Sequence, residues 1–374
     1  MDFDLLEGQE LFLDSTRRLL AASWSTHNVR DLLEDPRGVD HSVLSRGVDL
    51  GWTSLMVPEN LGGGSVSGEP VLDLAVLVKE LGRALFSGPI IPINVAAYAL
   101  ATFGSKQIAD DHLRAIASGV EVVAWAVAEQ GSLWGADATG VEATPTQGGY
   151  QLGGIKSPIQ DAQVAHHFLV SAVAPEGLTQ FLVPADTRGL AVRPMESMDL
   201  SRRFASVEFD AVEVPASSVV GSPGKAEEAV ERQLALALAL QCAETVGATE
   251  FAFEMTLTYV NDRKAFGRPI GSYQALKHRF ADMFLWLEGA KAVTAAAVAA
   301  VQQSERESVT GSLAKAYVAA KCPLIVRDCL QMHGGIGFTW EHDIHLFLRR
   351  VESNALNYGG RDYHLDRLAP TIGL

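Results

Sequence analysis

Two short stretches of the chain carry residue types whose spacing suits the binding of an anion. The first runs Asp262-Arg263-Lys264-Ala265-Phe266-Gly267-Arg268-Pro269-Ile270, then Tyr273-Gln274 and His278-Arg279-Phe280-Ala281-Asp282-Met283. An arginine closing one helix, a Phe-Gly turn and a glutamine opening the next helix place a fixed cation and an amide at one helical corner. A pyrophosphate or another planar anion can dock there, helped by the free N–H groups of the second helix. A helical hairpin with a solvated arginine would show the same pattern. The second stretch is Gln331-Met332-His333-Gly334-Gly335-Ile336-Gly337-Phe338. Three glycines in four positions let backbone amides approach a ligand closely. A glycine helix cap explains only one of them. No strand precedes this loop, so it is not the dinucleotide fingerprint of a βαβ unit.

The elements around these stretches fall into three zones. Residues 1–118 read as helical: leucines at 5, 6, 11, 13, 19 and 20 share a face, and further runs cover His41–Leu50, Glu69–Leu85 and Val95–Thr102. Residues 119–220 are richer in Gly, Thr, Gln and Pro, and their apolar period shifts towards two. Gly148–Gly154 reads as a tight hairpin, with strands at Phe181–Pro184 and Ala205–Phe209. Strands do not alternate with helices there, so an antiparallel sheet or barrel is expected. Residues 225–374 are helical again, as four helices of a bundle: 225–265, Ser272–Glu305 with Ser272 as its N-cap, Thr310–Met332 with a kink at Pro323, and Glu341–Tyr358 stopped by Gly359-Gly360.

Composition narrows the function. Of 374 residues, 30 are Lys or Arg and 45 are Asp or Glu, a formal charge of −15. Nucleic acid is therefore excluded as a general partner, because its recognition needs a cationic surface. The three cysteines, Cys242, Cys322 and Cys329, form no CxxC pair, so neither a disulfide framework nor a zinc site is expected. The start, Met1-Asp2-Phe3-Asp4, lacks the basic and apolar parts of a signal peptide. The longest candidate apolar stretch, Leu234–Ala243, is too short for a bilayer. The expectation is a cytoplasmic protein with no membrane span.

Taken together, the R-x-x-F-G-x-P-I…Q corner and the Q-x-x-G-G-x-G loop make the chain resemble an acyl-CoA dehydrogenase. The order, spacing and position of the two motifs agree with that family. Gly51-Trp52, Val57-Pro58-Glu59 with its following glycines, Leu81-Gly82-Arg83-Ala84-Leu85 and Gly221 extend the resemblance over nearly the whole chain. It implies an α+β multi-domain fold: an N-terminal helical domain, a middle antiparallel β domain and a C-terminal four-helix bundle. It also implies FAD held at a subunit interface, an acyl-CoA substrate desaturated between its α and β carbons, and an electron-transferring flavoprotein as acceptor. The nucleotide-binding role carries onto Arg263, Phe266, Tyr273, Gln274, Gln331, Gly334 and Gly335.

Elsewhere the chain departs from the family pattern. The positions that hold a Trp-x-Thr-like segment against the isoalloxazine are Pro158-Ile159-Gln160, and the upstream T-E-P-x-A-G-S-D loop is altered across Ala128–Asp137. The usual base position falls on Tyr358. The alternative position, 26 residues before Arg263, is Ala237, with Leu238 next. Neither Ala nor Leu can take a proton, and a tyrosine with a reference pKa near 10 is a poor base at neutral pH. Glu244, about two turns beyond Ala237 on the same helix, is the remaining candidate, against the reading of a packed carboxylate paired with an arginine or an amide. Three readings follow. The chain is one subunit of an α2β2 dehydrogenase, as in actinobacterial steroid side-chain breakdown, with a homologous subunit supplying the catalytic Glu. Alternatively it is a self-sufficient homotetramer using Glu244, or a scaffold without catalysis.

Overall fold

The computed structural model describes residues 5–131, 134–305 and 307–373. Ser132 and Leu133, in the altered loop, lie outside them. Six helices form the N-terminal layer: α1 (Glu7–Ser23), α2 (Thr26–Asp31), α3 (His41–Asp49), α4 (Pro70–Arg83), α5 (Ile90–Phe103) and α6 (Lys106–Ala117). Their starts are written locally. Asp40 accepts from the amides of Ser42 and Val43, Ser105 accepts from that of Ile108, and Pro70 occupies the first turn of α4. α5 is apolar around its circumference and is accordingly interior. Its one polar residue facing the core, Asn94, donates to the carbonyls of Trp52 and Ile90, both at 2.9 Å.

The middle layer is one sheet of β1 (Val123–Ala126), β2 (Glu142–Pro145), β3 (Gly149–Gln160), β4 (His167–Ala174), β5 (Gly177–Pro184), β6 (Leu190–Met195), β7 (Phe204–Pro215) and β8 (Val219–Val220). The strand order is β6-β7-β3-β2-β4-β5-β8, with β1 beside β4. Most pairs are antiparallel, but β1 and β2 both run parallel to β4. The long connection between β1 and β2 removes the hairpin constraint that would impose antiparallel pairing. The hairpin expected at Gly148–Gly154 turns earlier, at residues 146–148, and residues 149–154 already belong to β3. Gly154 marks a bulge at φ +135°, where a Cβ would come within 2.6 Å of the Gly140 carbonyl.

The C-terminal layer holds α7 (Glu227–Asp262), the two-residue strands β9 (Lys264–Ala265) and β10 (Arg268–Pro269), then α8 (Gln274–Gln303), α9 (Glu307–His333), α10 (Ile344–Leu356) and α11 (Arg361–Leu368). α7 packs on α9 and also on α4. The α4–α7 crossing is a backbone contact made possible by two glycines. A Cβ on Gly247 would lie 2.0 Å from the Lys79 carbonyl, and one on Gly82 would lie 2.1 Å from that of Glu244.

Four details correct the sequence reading. α8 starts at Gln274, because Ser272 lies in a 3-10 turn and gives its hydroxyl to the Pro269 carbonyl at 2.6 Å. α9 spans Glu307–His333, slightly beyond the expected bounds at both ends, with Pro323 inside it. The fourth helix, α10, ends at Leu356 before Gly359-Gly360, but an unexpected further helix, α11, follows the two glycines and packs on α9. Finally, α8, and α9 with the turn after it, are long and apolar enough to cross a membrane by length and composition. A search for wholly uncharged runs misses both. In the fold they pack against one another and against α7.

Candidate cofactor site

Successive helices of the bundle reverse direction, so the end of α7, the start of α8 and the end of α9 meet at one end. There Tyr259, one turn before Arg263, stacks on His333 with ring centres 4.5 Å apart. Arg263 closes α7, its amide donating to the Tyr259 carbonyl at 2.8 Å. Phe266 and Gly267 both have positive φ (53° and 82°) and turn the chain between β9 and β10. Tyr273 braces this hairpin: its hydroxyl donates to the Ala265 carbonyl at 3.1 Å, and the Arg268 guanidinium covers its ring at 4.0 Å. No side chain caps the N-terminus of α8. Gln274 and the first N–H groups of that helix are thus available to an anion. Arg263 is exposed and makes no ion pair among the described residues. Phe266 is 96% exposed, an apolar side chain with no cover inside its own chain.

The glycine loop completes this end. Gly334 caps α9 at φ +64°, and Gly334 and Gly335 face open space, whereas a Cβ on Gly337 would meet the Leu330 carbonyl at 2.8 Å. One glycine therefore serves packing and two leave the main chain approachable. Gln331 is exposed beside them. His333 is buried, its Nδ1 bonded to the Cys329 carbonyl at 2.9 Å, and burial lowers its pKa, so it is neutral. A cavity of about 600 Å³ opens beside the loop, walled by Phe338, Trp340, His345 and Arg349.

The opposite end, where the family pattern places flavin and base, is closed. Tyr358 is buried, with its ring 5.6 Å from that of Trp125 and 5.9 Å from that of Trp134. Burial pushes its pKa upward, away from any use as a base. Ala237 is fully buried within α7. Gln160 is buried too: its amide donates to Asp161 at 2.8 Å and its oxygen accepts from Arg202 at 3.4 Å, so it offers nothing to a cofactor. Glu129, from the altered loop, pairs with the fully buried Lys156 at 2.5 Å and accepts from the amides of Gly140 and Val141. The space left over is about 250 Å³, walled chiefly by Trp134, Pro158, Met195, Phe204 and Leu356. That is below the roughly 300–1,000 Å³ of ordinary ligand pockets.

Glu244 lies at the centre of a buried ionic network that the sequence does not announce. One of its oxygens accepts from Arg202 and from Arg350, the latter at 3.1 Å, and the other accepts from Asn354 at 2.9 Å. Arg350 also binds Asp199 at 2.7 Å and the Ser201 hydroxyl at 2.6 Å. A carboxylate held in this way is a structural anchor, and the packed-carboxylate reading fits it better than the base. Two guanidiniums, of Arg202 and Arg350, face three carboxyl groups, of Asp161, Asp199 and Glu244. The surplus acid is Asp161. Burial pushes it up to about 6 against the pull of Gln160 and the two arginines. Burial also works to raise Asp199, but Arg350 and Arg202 hold it below the usual range. Between 3.8 and about 6 the folded state keeps a proton on Asp161 that the unfolded state has lost, so stability falls as pH rises through that window. Asp161→Asn should remove this cost, and asparagine tolerates the φ of 55° at this position. In denaturant melts we expect the variant to lead wild type by up to about 3 kcal/mol at pH 7.5, and the curves to converge near pH 4. A difference independent of pH would contradict the assignment.

Comparison with known proteins agrees with this architecture. The profile of the acyl-CoA dehydrogenase N-terminal domain matches residues 7–120, and that of the C-terminal domain matches residues 228–373. Acyl-CoA dehydrogenase IpdE2 of Mycobacterium tuberculosis is 30% identical over 350 residues, which cover 93% of this chain and 92% of its own. The chain belongs to the acyl-CoA dehydrogenase family. Its fold is that of the family, and the cofactor of the family is FAD. Among solved structures, a variant of the steroid ACAD Tcur3481-Tcur3483 matches at 27% identity and a TM-score of 0.88, covering 98% of both chains. The ChsE4-ChsE5 complex from Mycobacterium tuberculosis matches at 26% identity and a TM-score of 0.90, covering 100% of this chain and 99% of the other. Set against FAD, the bundle corner fits the nucleotide half: exposed cation and amide, uncapped helix start and open glycine cradle. The Tyr358 end does not fit the flavin half.

Proposed function

We propose that this chain is the non-catalytic partner in a hetero-oligomeric, FAD-dependent acyl-CoA dehydrogenase, arranged as α2β2. In this reading its bundle corner, through Arg263, Gln274, Gln331 and the backbone at Gly334 and Gly335, grips the ADP half of an FAD seated in a homologous subunit. Phe266 and Tyr273 line the same surface. FAD, when bound, supplies the hydride acceptor. The homologous subunit supplies the catalytic Glu that takes the α proton, the flavin pocket and most of the acyl-CoA pocket. Electrons leave to an electron-transferring flavoprotein.

The observation that carries the reading is an asymmetry within one chain. The groups offered outward to a neighbour's nucleotide are intact and uncommitted, whereas Tyr358, Trp134 and the buried Gln160 fill or close the site the chain would use itself. The two solved relatives support both a paired assembly and a substrate: one is a complex of ChsE4 with ChsE5, and the other is named a steroid ACAD. The substrate class we propose is therefore a CoA thioester with a bulky acyl group, such as a steroid side chain. The test is to purify the chain alone and together with a homologous chain carrying the catalytic Glu. We expect flavin and turnover only in the mixed complex. Full flavin content and full dehydrogenase turnover in the lone chain would reject the proposal.

A further inference from the structure

We infer that His112, Glu121 and His167 form a binding site for one transition-metal dication of the zinc type, at the seam between the helical layer and the sheet. His112 sits in α6, Glu121 in the connection that follows it, and His167 opens β4. His112 Nδ1 lies 2.9 and 3.1 Å from the two oxygens of Glu121, and His167 Nδ1 lies 2.7 Å from the nearer one. The three ligand atoms are all within 4.8 Å of one another, and the two imidazoles meet edge to face at 4.8 Å between centres. Among the described residues no other three His, Cys, Asp or Glu side chains converge in this way.

The main chain fixes two of the three ligands before any ion arrives. Glu121 donates its amide to the Ala115 carbonyl at 3.1 Å. The Val122 carbonyl next to it accepts from the amides of His166 and His167 at 2.8 and 3.2 Å, and β1 continues from there in parallel register with β4. His112 is carried on a helix. Such support is what holds a ligand set in place. The carboxylate is buried and both imidazoles are partly exposed, so the open side faces water.

Ligand chemistry selects the ion. Two imidazoles with one carboxylate favour zinc, iron, nickel or copper over calcium and magnesium, which prefer oxygen alone. Three protein ligands with water in the fourth place is a known zinc arrangement. A tetrahedral ion about 2.1 Å from each ligand needs ligand atoms roughly 3.4 Å apart. Each imidazole nitrogen must therefore move about half an ångström or slightly more from the carboxylate oxygen, and the two imidazole nitrogens, up to 4.8 Å apart, must approach each other, through side-chain torsions of all three residues. Without metal, the His112 imidazole bonds to Glu121, while His167 Nδ1 is buried without a hydrogen-bond partner among the described residues, so binding satisfies the second and exchanges the proton of the first for the ion. Asp111, next to His112, and the net charge of −15 add to the attraction. The expectation of no metal rested on cysteine spacing. These ligands lie far apart in sequence and follow no motif.

The test titrates the full-length chain, cleared of metal with a chelator, with Zn²⁺ by calorimetry and with Co²⁺ by visible absorption. We expect one equivalent of Zn²⁺, a four-coordinate Co²⁺ spectrum, and a thermal midpoint that rises with Zn²⁺. His112→Ala and His167→Ala should each weaken affinity at least tenfold, and Glu121→Gln, which keeps size and hydrogen bonding, should do the same. His27→Ala, at an exposed histidine elsewhere, should change nothing. Circular dichroism would verify folding, with Glu121→Gln deciding if a histidine variant fails to fold. Absence of stoichiometric uptake, or uptake indifferent to Glu121→Gln, would overturn the site and leave only a hydrogen-bonded His–Glu–His clamp.

Discussion

Replacing Arg263 with alanine should strip FAD from the assembled enzyme while leaving this chain folded. Arg263 is exposed, ends α7 through a backbone bond, and has no ion pair to lose among the described residues. The cost to the free chain should stay within about 0.5 kcal/mol, as for ordinary surface changes. In the complex the same guanidinium would face a pyrophosphate, and truncating one partner of a charged hydrogen-bonded pair costs about 2–5 kcal/mol. The lower figure is roughly a thirtyfold loss of affinity. Flavin absorbance per complex, together with FAD titration, reads this directly. A complex that kept its full FAD would show that the bundle corner never reaches a nucleotide, and the scaffold reading would take precedence.

Glu244→Ala should act on stability and not on chemistry. The substitution leaves Arg202, Arg350 and Asn354 facing an empty acceptor position inside the protein. Removing one partner of a buried ion pair costs about 3–5 kcal/mol, because the other charge stays buried without compensation. We expect a large fall in unfolding free energy, with turnover per folded complex unchanged. The self-sufficient homotetramer predicts the opposite: Glu244→Gln would abolish turnover with flavin still bound. An intact melting curve with lost turnover would reinstate Glu244 as the base.

What could be read from the sequence was what is local. The long helix α7 was legible because residues 225–265 contain one glycine and no proline. The corner at Arg263 and the loop at Gly334 were legible because turn geometry demands glycine within a few positions. The departure from the family pattern was visible at Pro158 and Tyr358, each a residue that pattern does not carry at its position. The ionic network around Glu244 was not legible. Arg350 and Asp199 meet across 151 residues, and Arg202 reaches Glu244 across 42. The arginine pair in the run Leu-Phe-Leu-Arg-Arg-Val does not say which of the two is buried or what partner it meets. The parallel placement of β1 and β2 is likewise set by long connections, and α11 was hidden behind two glycines that looked like an ending.

The contact of Gly82 with the main chain of Glu244 bears on how this subunit moves. The backbone of Glu244 touches α4, while its side chain holds Arg202, which precedes β7, and Arg350 of α10. All three layers are thus joined at a single residue, and a rotation of one against another would have to break the Glu244 contacts. In the assembly proposed above, the breathing that admits and releases a thioester would then fall where one subunit meets the next.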